Sequence, residues 1–273
     1  MILSRPRSIP VALTIAGSDS GGGAGIQADL KTFASLGVHG TSAITCITAQ
    51  NPKQVLAIQA CRPEIVRQQI EAVWVEFHPA AVKTGMLYST EIIRRVAAFF
   101  QGGRRPPLIV DPVMVATSGS RLLKPSAIQI LKRELIPLAA LVTPNLPEAG
   151  ILVDRELTSL EGMRWAAKEI RRRFGCAALV KGGHLRNVRE AADIFFDGRE
   201  ELLLTAPFVR RVATHGTGCT YSAAIAAHLA LGCGLAEAVV RAKEYISEAI
   251  AQSYAAGRHT VLNHSRAATT RIR

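Results

Sequence analysis

The chain has 273 residues, 48% of them hydrophobic and 20% charged, enough to bury a substantial core in one large domain or two small ones. Its formal net charge is +12, but aromatic residues make up only 5% and the basic residues are scattered, so no stacking platform for nucleic acid is indicated. No apolar run approaches the roughly 20 residues that span a bilayer, and the five cysteines, an odd number without a Cys-x-x-Cys pair, fit neither a disulfide framework nor a zinc site.

The N-terminal stretch MILSRPRSIP leads into an apolar segment broken by GSDSGGGAG, which reads as a strand followed by a loop rather than a signal sequence. A cytoplasmic protein with no membrane or nucleic-acid partner is therefore expected. Along the chain, short β-branched runs alternate with helical segments. VALTIAG (11–17) is followed by a helix over 24–37 and the strand TSAITCITAQ (41–50). In 64–77, Val66, Ile70, Val73, Trp74 and Phe77 recur at helical spacing and predict one buried stripe. AAVKTG (80–85), a helix near 89–101, LIVDP (108–112), a helix near 125–135 and LVTP (141–144) come next. A helix near 159–174 leads to AALVKGG (177–183), then to a hairpin of ADIFFDG and ELLLTAP turning at Asp197-Gly198, and to final helices near 218–231 and 235–254.

This alternation predicts βαβ units and a mostly parallel sheet covered on both faces. No repeat or linker divides the chain, so one domain over 1–273 is expected, with a core of about 11–255 and basic, loose tails at 1–9 and from about 258. Ligands bind beyond the carboxyl ends of strands in such sheets. Polar and turn-forming residues gather there: Gly17-Ser18-Asp19, Gln50-Asn51, Lys83-Thr84-Gly85-Met86, Asp111-Pro112, Thr143-Pro144-Asn145 and Lys181-Gly182-Gly183-His184.

Each motif admits a functional and a plainer reading. GSDSGGGAG lacks the lysine of a phosphate-binding P-loop and breaks G-x-G-x-x-G at Ile26, so it is either a close-approach loop or a tight turn. Asp29, offset from Ile26, Leu30 and Phe33, reads by itself as a solvated surface acid. Gln50 offers an amide to a heterocycle edge or merely closes its strand. Asp111, Asn145 and Glu148 are oxygen donors suited to a magnesium ion that keeps its waters, while Asn145-x-x-Glu148 also fits a helix cap. Lys181 is placed to meet a phosphate as a point charge.

THGTGCT (214–220) precedes the apolar run YSAAIAAHLALG. A helix start collects unpaired amides and the positive dipole end, attracts anions and lowers the pKa of a thiol. The amides of Gly216, Thr217, Gly218 and Cys219 are candidates for an anion hole around a phosphoryl group in flight, with the Cys219 thiol as base; packing as a small apolar residue is the alternative for that cysteine.

AGSDSGGGAGIQADLKTF, TAQN, VKTGML, VDPVMVATSG, LVTPNLPEA, LVKGGH and HGTGCTYSAA resemble, in order and spacing, the bacterial hydroxymethylpyrimidine/phosphomethylpyrimidine kinases of the ribokinase-like superfamily, over about residues 11–255. The resemblance implies a three-layer α/β/α sandwich with a mostly parallel sheet and only a minimal lid. It also implies a homodimer, and ATP- and Mg²⁺-dependent phosphorylation of 4-amino-5-hydroxymethyl-2-methylpyrimidine to its monophosphate and then its diphosphate, in thiamine biosynthesis. A pyridoxine/pyridoxal kinase or a dual-specificity enzyme is the nearest competing reading. By motif, the pyrimidine is expected among Gly17, Asp29, Gln50, Met86 and Val113, with Asp29 and Gln50 reading the ring. Asn145 and Glu148 match the superfamily's N-x-x-E magnesium motif beside Asp111, Lys181 and the 216–219 turn are expected to hold phosphates, and Lys243 matches a lysine near the nucleotide. Many superfamily members carry G-x-G-D at the anion hole, where this chain has Cys219. The chain also departs from the pattern at Gly21, Thr117 and Ser120, and a GHGPVNH-like segment survives as GRHTVLNH, differences expected to leave the chemistry untouched.

Overall fold

The structure, a computed structural model, describes residues 8–103, 105–115, 122–183, 185, 190–209 and 215–265. His184, Thr214, Thr117 and Ser120 lie outside the described residues.

Nine strands form one sheet in the order β3-β2-β1-β4-β5-β6-β7-β8-β9. The parallel centre comprises β2 (His39–Asn51), β1 (Val11–Asp19), β4 (Ala81–Thr84), β5 (Leu108–Val110), β6 (Leu141–Val142) and β7 (Ala177–Lys181). The edges are antiparallel: β3 (Gln54–Ala60) on one side, β8 (Glu190–Phe196) and β9 (Glu201–Pro207) on the other. The β8–β9 hairpin turns where predicted, with the Asp197 carboxylate accepting from the amides of Arg199 (2.7 Å) and Glu200 (2.8 Å).

Successive strand residues point to opposite faces, which splits the core in two. Leu13, Ile15, Val82, Leu108, Val110, Val142, Ala178 and Val180 meet α2 (Pro63–Phe77), α3 (Thr90–Phe100), α4 (Pro125–Ile130), α5 (Leu146–Val153) and α6 (Leu160–Phe174). Ala12, Ala81, Ile109, Leu141, Ala177 and Leu179 meet α1 (Gly25–Ser35), α7 (Thr217–Ala230) and α8 (Leu235–Ala251). The result is the expected three-layer α/β/α sandwich. By the same alternation Thr14, Lys83, Asp111 and Lys181 sit on the α1/α7/α8 side. Alanines 223, 224, 226 and 227 let α7 lie deep between the sheet and its two neighbouring helices.

Local signals set the helix boundaries. Ser89 and Ser159 cap α3 and α6 by accepting from the amides of Ile92 and Gly162. Pro63 opens α2, and Arg171–Arg173 sit in the last turn of α6, where cations suit the helix dipole. The α2 stripe is buried at Val66 and Ile70 only; Val73 and Trp74 are half-buried, and Phe77 is exposed and stacks on His39. The helix predicted over 125–135 is α-helical through Ile130. It then widens into a π turn (Leu131–Leu135) and tightens into a 3-10 turn (Ile136–Leu138) containing Pro137, which has no amide to continue the ladder. No helix among the described residues is long and apolar enough to cross a membrane.

The expectation of a loose tail from about 258 does not hold for residues 258–265. β10 (Tyr254–Ala256) and β11 (His259–Val261) form a small antiparallel ribbon, after which the chain docks on α7 and α8. Leu262 is buried, the Asn263 amide donates to the Ala249 carbonyl (3.1 Å), and Tyr245 donates to the His264 carbonyl (2.9 Å). The His264 ring lies against the Thr220 hydroxyl at 3.0 Å. Burial, reinforced by the charge of Lys31, holds its pKa down at about 4, against an ordinary 6.5, although the Leu262 carbonyl pulls the other way. Between these values the unfolded chain binds the proton that the folded ring refuses, so stability is full above about pH 6.5 and falls as pH drops toward 4. Urea unfolding midpoints measured from pH 7 to 4.5 should fall more steeply for the wild type than for His264→Gln; parallel profiles would contradict this.

Candidate active site

The parallel strands deliver their carboxyl ends to one edge, and the start of α7 closes over it. β1 carries a bulge at Gly17, where a Cβ would come within 2.7 Å of the Cys46 sulfur, so any side chain there would displace Cys46. Beyond it, Asp19 organises the glycine loop. Its carboxylate accepts from the amides of Gly21 (2.8 Å), Gly23 (3.2 Å) and Ala24 (2.9 Å) and meets His215 Nε2 at 3.0 Å. Burial works to raise its pKa, but the His215 and amide hydrogen bonds win and hold it below the ordinary carboxylate value.

His215 leads into Gly216, the N-cap of α7, whose φ of +81° and missing side chain leave the helix without a side-chain cap. A Cβ at Gly216 would lie 1.7 Å from the Gly23 carbonyl oxygen. The glycine loop and the α7 turn are therefore in backbone contact, and only glycine permits it. The first-turn amides of Thr217, Gly218 and Cys219 have no preceding helical turn to donate to. Gly218 sits on the charged centre of the site: a Cβ there would be 3.2 Å from Lys181 Nζ and 3.8 Å from Asp111 Oδ2.

That centre is tightly bonded. Lys181 donates to Asp111 Oδ1 (3.0 Å), as does Thr143 (3.2 Å), and Ser222 of α7 reaches Asp111 Oδ2 (3.3 Å). Burial opposes the Lys181 charge, but Asp111 and Glu148 outweigh it and hold the ammonium above its usual range. Asn145 and Glu148 form a full capping box on α5: the Asn145 side chain accepts the Glu148 amide (2.9 Å) and Glu148 accepts the Asn145 amide (3.0 Å). Glu148 also accepts the Met114 amide (3.1 Å), and Asn145 is bridged to Lys181. Burial raises the Glu148 pKa despite the pull of Lys181. Among the described residues no three acidic, imidazole or thiol groups converge on a point that would hold a metal directly.

Two features differ from the sequence expectation. Asp29 is no solvated surface acid. It is fully buried, accepting from Thr14 (2.6 Å) and, through both oxygens, from the equally buried Lys83 (2.9 and 2.8 Å). The sequence placed Lys83 at a strand end without a partner, although a lysine inside a strand of otherwise buried residues requires an acid within reach. The second is Cys219. Burial pushes its thiol up to about 11, with Asp29 and Asp111 adding to the rise and Lys83 and the Gly25 amide pulling back. The helix-start effect expected to lower it is outweighed by desolvation.

The remaining predicted residues are spread along the edge. Gln50, half-buried at the end of β2, accepts from Thr48 through its side chain (3.2 Å), and its backbone exchanges two 2.8 Å hydrogen bonds with Ser20. Met86 and Val113 are half-buried beyond β4 and β5. Lys243 on α8 is held by Asp193 (2.7 Å) and the Ala191 carbonyl (3.2 Å). Asp193 in turn accepts the Gly182 amide (2.9 Å) and pairs in register with Lys181, so Lys243 stands behind the end of β7 and its ammonium is already occupied.

The family model described as phosphomethylpyrimidine kinase matches residues 19–264, from the organiser of the glycine loop to the docked histidine. The chain belongs to this family. It is 52% identical to the hydroxymethylpyrimidine/phosphomethylpyrimidine kinase of Rhizobium meliloti, over 88% of this chain and 90% of that protein. It is 47% identical, over 94% of its length, to the thiamine biosynthesis bifunctional protein ThiED of Geobacter sulfurreducens, of which it spans about half (52%). Among solved structures it superposes on the Bacillus subtilis pyridoxal kinase ADP complex with a TM-score of 0.87 at 38% identity, covering 94% of this chain and 98% of that one.

The Cys219 environment yields a direct expectation. With its pKa near 11, peptide-mapped iodoacetamide labelling of Cys219 should still be rising at pH 10, and at pH 8 should run about a hundredfold slower than for a thiol of ordinary pKa. Labelling that levels off near pH 9 would contradict the burial argument.

Proposed function

We propose that this chain transfers the γ-phosphoryl group of ATP to the hydroxymethyl group of 4-amino-5-hydroxymethyl-2-methylpyrimidine, and then a second phosphoryl group to the resulting monophosphate, as a step in thiamine biosynthesis. The observation that carries the reading is the Gly216–Cys219 turn seated on Lys181 and Asp111 at the carboxyl edge of the sheet. Amides aimed at one place beside a lysine stabilise charge on a phosphoryl group in transfer. Family membership and the 52% identical relative support the substrate.

In this reading the 216–219 turn and Lys181 hold phosphate oxygens. Asp111, Asn145 and Glu148 hold a magnesium ion through its waters: Glu148 spends one contact per oxygen on backbone amides, which leaves lone pairs for water, and no direct cage is formed. The ion, when bound, offsets charge on the phosphates. Gly17, Gln50, Met86 and Val113 line the pyrimidine side. Asp29, enclosed by Lys83 and Thr14, supports that side from behind rather than touching the ring, and Lys243 supports Lys181 through Asp193. We take the chain as one ribokinase-like domain acting in the cytoplasm as a homodimer. The exposed edge strand β3, with Leu56 67% and neighbouring Ile47 54% exposed, supplies a surface for a second copy.

Chemistry separates the two transfers. In the first, the Cys219 thiolate takes the hydroxyl proton, the hydroxymethyl oxygen bonds to the γ-phosphorus, and the bond to the ADP oxygen breaks. The thiol's pKa near 11 makes it a strong base that is ionised in only a small fraction at neutral pH. In the second, the attacking phosphate is already ionised and needs no base. Cys219→Ala should therefore slow the first phosphorylation by about a hundredfold and the second far less, and the wild-type first-step rate should climb with pH. Equal slowing of both steps in a coupled ADP assay would remove the base from Cys219.

Pyridoxal is the second candidate substrate, favoured by the backbone match to the Bacillus subtilis pyridoxal kinase. Both molecules are six-membered nitrogen heterocycles bearing a hydroxymethyl group. The kcat/KM for the pyrimidine should exceed that for pyridoxal; the reverse order would reassign the substrate, and no ATP turnover with either would remove the kinase reading.

A further inference from the structure

A helix whose first turn faces a ligand must be held from elsewhere, and α7 has no side-chain cap to hold it. The hydroxyl of a threonine in a helix ordinarily bonds back to the carbonyl four residues earlier. For Thr220 that carbonyl, on Gly216, receives the Thr220 amide at 2.9 Å, while the hydroxyl meets Nε2 of His264 at 3.0 Å. Thr220 is fully buried and directly follows Cys219. The Thr220 hydroxyl can donate or accept, so it satisfies Nε2 in either tautomer of the ring.

His264 is itself fixed to α8. Its carbonyl accepts from Tyr245, its neighbour Asn263 donates to Ala249, and Leu262 is sunk in the core. Lys31, whose charge acts on the His264 ring, bonds the Gly22 carbonyl of the glycine loop at 2.7 Å. A segment more than 40 residues distant in sequence thus reaches the first turn of α7 on the side away from Lys181 and Asp111. We propose that His264 is a positioning residue: through Thr220 it fixes the turn that carries Gly218 and Cys219 over Lys181 and Asp111.

The proposal rests on the kinase reading for its kinetic test, and a substrate-free readout separates the two. In the full chain, His264→Ala and Thr220→Val should each lower kcat for pyrimidine phosphorylation by about tenfold or more, with KM changing less than about threefold. The double variant should be no worse than the worse single one, and His264→Gln, whose amide reaches the Nε2 position, should recover most of the rate. Unchanged kcat, additive losses, or losses that vanish once rates are normalised to folded protein by circular dichroism would overturn it. Without substrate, amide exchange across residues 217–221 should quicken by about tenfold in the Ala and Val variants but not in the Gln variant. Unchanged exchange overturns the proposal. If the wild type fails to phosphorylate the pyrimidine, the kinase reading falls and the exchange result alone decides the role of His264.

Discussion

The contact between Gly216 and the Gly23 carbonyl is the constraint on which the site depends. Two turns from opposite ends of the chain approach so closely that a single added carbon at Gly216 would fall 1.7 Å from the oxygen. Gly216 also has a φ of +81°, which a side chain tolerates poorly. Strain of this kind costs of order 1–3 kcal/mol when forced on another residue, so the position is sterically determined twice over. The His215–Asp19 hydrogen bond then pins the same pair of turns through side chains, and Asp19 converts three loop amides into a fixed scaffold. Helix α7 thus starts where tertiary packing puts it, with its first turn set over Lys181 and Asp111.

Charge under this turn is arranged in neighbouring pairs. Lys83 with Asp29, Lys181 with Asp111, and Lys243 with Asp193 all lie on the α1/α7/α8 side of the sheet near its carboxyl edge. Buried pairs add little net stability, because desolvation consumes most of the attraction, yet removing one partner costs about 3–5 kcal/mol. Such pairs are weak as glue and strong as registers: Lys83–Asp29 and Lys243–Asp193 oblige α1 and α8 to sit at defined heights over β4 and β8, and Lys181–Asp111 ties the ends of β7 and β5. The chain's overall charge of +12 has another origin, since at the site cations and acids are matched.

The main alternation of strands and helices was legible because both faces of the sheet are covered, so each central strand is a short apolar run. β3 was not read, since QVLAIQA lies at an exposed edge and lacks a buried face to impose a pattern. The ribbon after residue 254 escaped for the same reason, its burial beginning only at Leu262. At the site, Asp111, Lys181 and the loop after β1 could be located from strand ends, and the Gly216–Cys219 turn from the helix start it opens. The state of Asp29 could not, because its partner Lys83 is 54 residues away and an acid on a helix looks the same whether it faces water or a lysine. At Cys219 two effects of different size compete: a helix dipole acts over one turn and is worth about a kcal/mol, whereas desolvation can shift a titrating group by more.

That magnitude bears on why a thiol suits position 219. The site already buries Asp29 and Asp111 near it, balanced by Lys83 and Lys181. An aspartate, found there in many ribokinase-like kinases, would add a third carboxylate to a place with two lysines already paired. Either its own pKa or that of a neighbour would rise until one proton was shared. A thiol avoids the conflict, because at rest it is neutral and its sulfur packs like a small apolar group. It becomes charged only when deprotonated, a form that the charge of Lys83 favours. In the proposed role the thiol would be a base that leaves the existing pairs undisturbed in the free protein, at the cost of being rarely ionised. Such an exchange is tolerable where one of two successive acceptors arrives already ionised and needs no base at all.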